Sequence, residues 1–168
     1  MSIAFEPASD SDIEIVRKQL DRIPRGVVGI GDRCVCGRPT VVVTAPRLED
    51  GTPFPTTFYL TSPPIVRACS VLEAEKVMEE MNAWLDEDET AQTDYRHAHE
   101  HYIMLREQLG KVPEIAGISA GGMPTRVKCL HALVGHALVA GRGVNNVGDR
   151  ALDIMAERGL WTEGHCSC

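Results

Sequence analysis

The chain has 168 residues, 43% hydrophobic and 24% charged, with 17 basic against 24 acidic side chains and a net charge of -7. That length suits one compact domain, and the composition excludes a disordered tail or a fibre. The acidic balance argues against a general nucleic-acid binder, and no apolar run is long enough to span a bilayer. The N-terminal MSIAFEPASDSD lacks the basic-then-apolar pattern of a secretory leader, so a cytoplasmic location is expected.

In chain order, Asp10 or Ser11 is placed to cap a first helix with Ile13, Val16 and Leu20 on one face, which Pro24-Arg25-Gly26 ends. Three β-rich runs follow: Val27–Ile30, Thr40–Thr44 and Thr57–Thr61. The short turn-like segments between them favour an antiparallel meander. Pro63-Pro64 opens the helical part. Val71, Ala74, Met78, Met81 and Leu85 mark a long amphipathic helix, and a second long helix covers about Thr90 to Leu109. After the glycine-rich loop 117–124, Thr125 is expected to cap a helix running to Gly141. A short helix from Asp149 to Arg158 follows the turn Asn145–Gly148. The expected class is α+β, a small antiparallel three-stranded meander packed against four or five helices. Residues 1–160 form the domain and 161–168 a flexible Cys/His-containing tail.

Charge is unevenly placed. Residues 73–100 hold ten acids opposed only by Lys76 and Arg96, which predicts an acidic helix pair. That pair is a solvated face or, functionally, a docking face for a basic protein partner. Residues 115–148 contain no acid. Gly121 and Gly122 lead towards Arg126 and Lys128 at the expected helix start, a candidate site for an anionic small molecule. The loop is neither a Walker A nor a Rossmann fingerprint.

Cys34, Cys36, Cys69, Cys129, Cys166 and Cys168 are the six cysteines. In a reducing compartment they point to metal or thiol chemistry before disulfides. Cys34-Val35-Cys36-Gly37 lies in an expected turn and resembles half of a zinc knuckle, with a C-x-C in place of the commoner C-x-x-C. Cys129, in the first turns of the Thr125 helix, gains thiolate character from the helix dipole and nearby Arg126 and Lys128. The candidate metal ligands are Cys34, Cys36, Cys129 and His136, requiring the turn to fold onto that helix. Zinc or an iron–sulfur cluster is the expected cofactor, the cluster being favoured if a fourth cysteine comes from the tail; Cys166 and Cys168 are a fourth-ligand donor, a redox pair or without a role.

Helix geometry separates the histidines. Cys129 and His131, two residues apart, would point about 200° from each other on a helix and could not share an ion. Tyr95, His99 and Tyr102 share a face and suggest a buried polar network. His97 and His101 lie on the opposite face and are expected in solvent.

The strings RCVCGRP, EDGTPFPT, GGMPTRVKCLHALVGHALVAG and NNVGD resemble the bacterial family catalogued as domain of unknown function 501, from about Asp10 to Met155. The resemblance implies kinship without a reaction, and an actinobacterial setting near septum-formation and exopolyphosphatase genes. Where the family pattern has a Cys-Pro pair after the third strand, this chain has Ser62-Pro63.

Three functions follow from these residues. The first is a Cys/His metal-binding protein. The second is an enzyme acting on a phosphate or carboxylate substrate with Cys129 as thiolate nucleophile. The third is a non-catalytic partner protein in cell division or envelope growth.

Overall fold

A computed structural model describes residues 2–168. Helix α1 (Asp10–Leu20) is followed by β1 (Val27–Arg33), β2 (Pro39–Thr44) and β3 (Phe58–Leu60). Helices α2 (Pro63–Ala74), α3 (Val77–Glu87), α4 (Glu89–Leu109), α5 (Leu130–Ala140) and α6 (Asn146–Glu157) complete the chain, with a 3-10 turn at Pro113–Ile115. The strands form the expected antiparallel sheet in the order β1-β2-β3, with Val27 opposite Thr44 and Val41 opposite Leu60. The described residues form six α-helices, which keeps the α+β class.

Local chemistry explains the departures from the expected boundaries. Ser9, one residue before the expected cap, closes a reciprocal box: its hydroxyl accepts from Asp12 N–H, and the Asp12 carboxylate accepts from Ser9 N–H. The long helix expected through residues 71–85 is two helices. Lys76, in the left-handed region at φ 65°, breaks the chain between α2 and α3.

The start of α5 differs most. Thr125 does not cap it; the helix begins five residues later, at Leu130, with Cys129 as N-cap. The amides of Thr125 and Arg126 donate to the Gly122 carbonyl, and those of Lys128 and Cys129 to the Gly121 carbonyl. Val127 is clasped through both backbone groups by the Asn82 side chain. These bonds satisfy the backbone without a helix.

The sheet separates two apolar layers. On one face Val16 of α1 packs with Ile30 and Val42. On the other, Val41, Val43 and Phe58 meet the helices. Every residue of β2 is buried, as a strand covered on both faces requires. Helix α5 lies at the centre, with Leu130, Leu133, Val134, His136 and Ala137 all buried.

Two glycines set how closely α5 packs. A Cβ on Gly135 would sit 2.6 Å from the Phe58 carbonyl oxygen of β3. One on Gly148 of α6 would sit 2.5 Å from the Leu133 carbonyl oxygen of α5. In an exposed helix, alanine in place of glycine stabilises by about 1 kcal/mol. Here backbone atoms must move, so overpacking wins. Gly135→Ala and Gly148→Ala should each destabilise the protein by about 1–3 kcal/mol, read as a lower midpoint in urea unfolding.

Candidate functional site: two thiol clusters

The hairpin joining β1 to β2 carries the first cluster. Cys34 N–H donates to the Arg38 carbonyl and Gly37 N–H to the Cys34 carbonyl, a tight turn in which Gly37 takes φ 90°. Arg33 braces it from below. Its guanidinium grips both Asp12 oxygens at 2.8 and 2.9 Å and donates to the Gly37 carbonyl at 2.9 Å. This ion pair holds the Asp12 carboxyl well below the usual carboxylate range.

The C-terminal residues come back to this turn. Leu160 N–H donates to the Met155 carbonyl, and Leu160 and Trp161 pack against the main core. Glu163 pairs with Arg142 at 3.1 Å. The result places the sulfurs of Cys34, Cys36, Cys166 and Cys168 within 4.8 Å of one another, positioned to hold a metal ion. The Arg38 backbone and neighbouring thiols lower the Cys36 pKa to about 7, whereas burial and crowding push Cys168 up to about 12.

Cys129 and His136 stand outside this cluster, so the ligand set expected from the sequence is corrected at two of its four members. Cys129 instead groups with Glu73 and His131, their donor atoms again within 4.8 Å of one another. Glu73, on the last turn of α2, receives Leu130 N–H at 2.9 Å and sits 2.9 Å from His131 Nδ1. Burial raises the Cys129 thiol, but the His131 ring and the Ala132 backbone N–H outweigh it, and its pKa falls below the ordinary thiol value. The Cys129 contact and the Glu73 carboxylate raise His131 to about 9. The pair is therefore set towards thiolate and imidazolium. The helical argument against Cys129 meeting His131 fails because Cys129 is the N-cap, with extended φ and ψ of -149° and 109°.

His136 is fully buried as a core group. Its ring stacks on Phe58 at 5.5 Å and meets Tyr102 edge-on at 5.1 Å. Asn145 Oδ1 accepts from Gly148 N–H, so its Nδ2 is the donor to His136 Nδ1 at 3.1 Å. His136 Nε2 then carries the proton and donates to His101 Nδ1 at 3.0 Å. His101, expected in solvent, is thus tied to the core. Tyr95, His99 and Tyr102 are drawn into polar contacts, each with a different partner. Tyr95 donates to the Arg126 carbonyl, His99 contacts Ser119 at 2.8 Å, and Tyr102 accepts from Thr57 N–H. Among the described residues these bonds do not link the three to one another.

The anion loop is also corrected. Arg126 and Lys128 are exposed, but they precede α5 instead of forming its first turn. The amides of Arg126 and Lys128 donate to the Gly122 and Gly121 carbonyls, so these two N–H groups are not presented to a ligand. Asn145 is a cap for α6, and Asp149 accepts from Gly143 N–H. No helix among the described residues is long and apolar enough to cross a membrane.

Burial lowers the His136 pKa to about 3. A histidine kept neutral in the fold contributes stability above its unfolded pKa, near 6.5, and that stability is lost as pH falls towards the folded value. From this group the unfolding free energy should decline by up to about 1.4 kcal/mol per pH unit below about pH 6. Urea unfolding across this range measures the decline, and the His136 ring signal in NMR should not titrate near 6.5. A midpoint there contradicts the assignment.

Sequence reasoning missed Glu73 and His131 as partners of Cys129. It named the tail cysteines only as auxiliary donors. The available signal for the latter was the repeated C-x-C pattern, Cys34/Cys36 near the first hairpin and Cys166/Cys168 at the end. For the former no sequence signal existed, because 56 positions separate Glu73 from Cys129. No curated protein and no solved structure matches the chain. A family model matches residues 30–153, a span that includes Cys34, Cys36, Glu73, Cys129 and His131 and ends before Cys166 and Cys168. Since that match runs from the middle of β1 into α6, the chain belongs to the family described as Protein of unknown function (DUF501).

Proposed function

We propose that the protein binds one zinc ion through Cys34, Cys36, Cys166 and Cys168, and that the ion closes the C-terminal segment onto the β1–β2 hairpin. The observation that carries this reading is the mutual approach of four thiol sulfurs within 4.8 Å. Four sulfurs bound tetrahedrally at about 2.3 Å from one zinc stand about 3.8 Å apart. A closed four-thiolate set is the donor chemistry of a structural site, which leaves no position for water or substrate. An iron–sulfur cluster spreads its cysteine ligands over separate irons, so this close spacing favours a single ion.

The role is to join distant parts of the chain. The ligands come from residues 34–36 and 166–168, and the closed loop includes nearly the whole fold. Metal affinity depends on pH, since each thiol must lose its proton; binding weakens as pH falls.

Protein purified under reducing conditions should contain about one zinc per chain and remain colourless. Cys34→Ser and Cys168→Ser should each lower zinc content and cobalt(II) uptake, with the thiolate-to-cobalt absorption lost. Chelation should lower the unfolding midpoint of the wild type and leave these variants unchanged. Folded protein that takes up neither zinc nor cobalt rejects the reading. Iron and sulfide in equal amounts, with visible absorbance, replaces zinc by a cluster.

A further inference from the structure

A cavity of about 590 Å³ lies between β3, α2 and the start of α5, within the size range of small-ligand sites. Phe58 and Val66 give it apolar walls, and Cys129 and His131 open into it. Arg22 and Arg67 also line it, and both are exposed. Arg22 donates to the Tyr59 hydroxyl at 2.7 Å, while Arg67 forms no ion pair among the described residues. Glu73 is not in the wall. It accepts from Leu130 N–H and lies 2.9 Å from His131 Nδ1, with its oxygen also within 4.8 Å of the Cys129 sulfur, while Ser70 Oγ lies 3.4 Å from His131 Nε2.

Nucleophile and base face the cavity, and the Glu73 carboxylate completes a compact trio with them, the three donor atoms all within 4.8 Å of one another. An imidazole held beside a thiol activates a weak nucleophile by taking its proton. We propose that this cavity hydrolyses a carboxylate-bearing ester, with Cys129 as nucleophile, His131 as acid–base partner and Glu73 as the positioning residue that holds the imidazole. The assignment goes beyond the zinc reading and does not depend on it.

The chemistry closes without a co-reactant other than water. Cys129 Sγ forms a bond to the ester carbonyl carbon. The ester C–O bond breaks, and the departing alkoxide takes the proton held on His131. Water then adds to the thioester carbonyl and gives a proton to the neutral imidazole. The S–C bond breaks, which releases the acid and restores thiolate beside imidazolium. Arg67, which forms no ion pair among the described residues, receives the negative end of the substrate.

The electrostatics agree with these roles, since Cys129 is lowered and His131 raised by their mutual contact. The groups facing the pair are Glu73, Cys69 and Arg67 from α2, Tyr59 from β3 and Arg22 after α1. The buried Cys69 thiol is pushed above its ordinary value, so it remains protonated and does not compete as nucleophile.

The zinc-loaded full chain is mixed with para-nitrophenyl hemisuccinate, with neutral para-nitrophenyl acetate as comparison. The expected result is a burst of para-nitrophenol and, by peptide mapping, a succinyl group on Cys129. Cys129→Ser and Cys129→Ala should abolish both, and His131→Gln should slow acylation about 100-fold. Arg67→Gln should raise KM for the hemisuccinate and not for the acetate. Glu73→Gln should shift the alkaline limb of the acylation profile to lower pH, because His131 loses the charge that holds its proton. A purely structural Glu73 would not move that limb. Circular dichroism and unfolding midpoints verify that each variant is folded. Cys34→Ser should lose zinc yet keep the burst, so the two readings fail separately. The proposal is overturned by turnover that survives both Cys129 substitutions, or by acylation confined to other cysteines or absent altogether. A second zinc, lost in Cys129→Ser, would also overturn it and make the trio a metal site.

Discussion

The close seating of α5 is the constraint on which the rest of the molecule depends. Gly135 admits the β3 backbone, and Gly148 admits α6, so α5 is enclosed by sheet and helices together. A helix buried on nearly all sides has no freedom to rotate or slide without leaving voids or clashes. Its N-terminus is therefore held at one place, beside the last turn of α2. Glu73 adds a directional bond there by accepting Leu130 N–H. The same carboxylate then orients His131, so the packing of the core and the geometry of the Cys129 cluster share one anchor.

The thiols illustrate how environment separates chemically identical groups. Cys69 is buried among apolar side chains and is held as a neutral thiol. Cys129 is half-buried against an imidazole and a cavity, and it is favoured as a thiolate. The remaining four cluster near the surface, with the Cys36 thiol lowered and the Cys166 and Cys168 thiols raised. Such mutual opposition among protons is what a divalent cation relieves. Burial, a basic neighbour and crowding thus account for three distinct behaviours.

Much of the fold was legible along the chain because its determinants are local. The alternation and turn residues between Val27 and Thr61 suffice for an antiparallel meander, and the continuous apolar run of Val41–Val43 matches a strand covered on both faces. The boundary of α5 was not legible. Thr125 is an acceptable cap by residue type, but Asn82, distant in sequence, captures the Val127 backbone and delays the helix. That shift alone brought Cys129 and His131 within reach of each other. The histidines of α4 were similarly ambiguous: i, i+4 spacing cannot say that His101 meets the buried His136.

By itself the sequence determined the secondary-structure class, the family and the set of residues able to do chemistry, because periodicity, turn preference and side-chain type are carried residue by residue. Only the tertiary structure decided which of those residues meet. It paired the hairpin cysteines with the C-terminal cysteines and gave Cys129 to Glu73 and His131. Such contacts join positions dozens of residues apart, and they are set by how buried surfaces fit together. No local pattern records that fit.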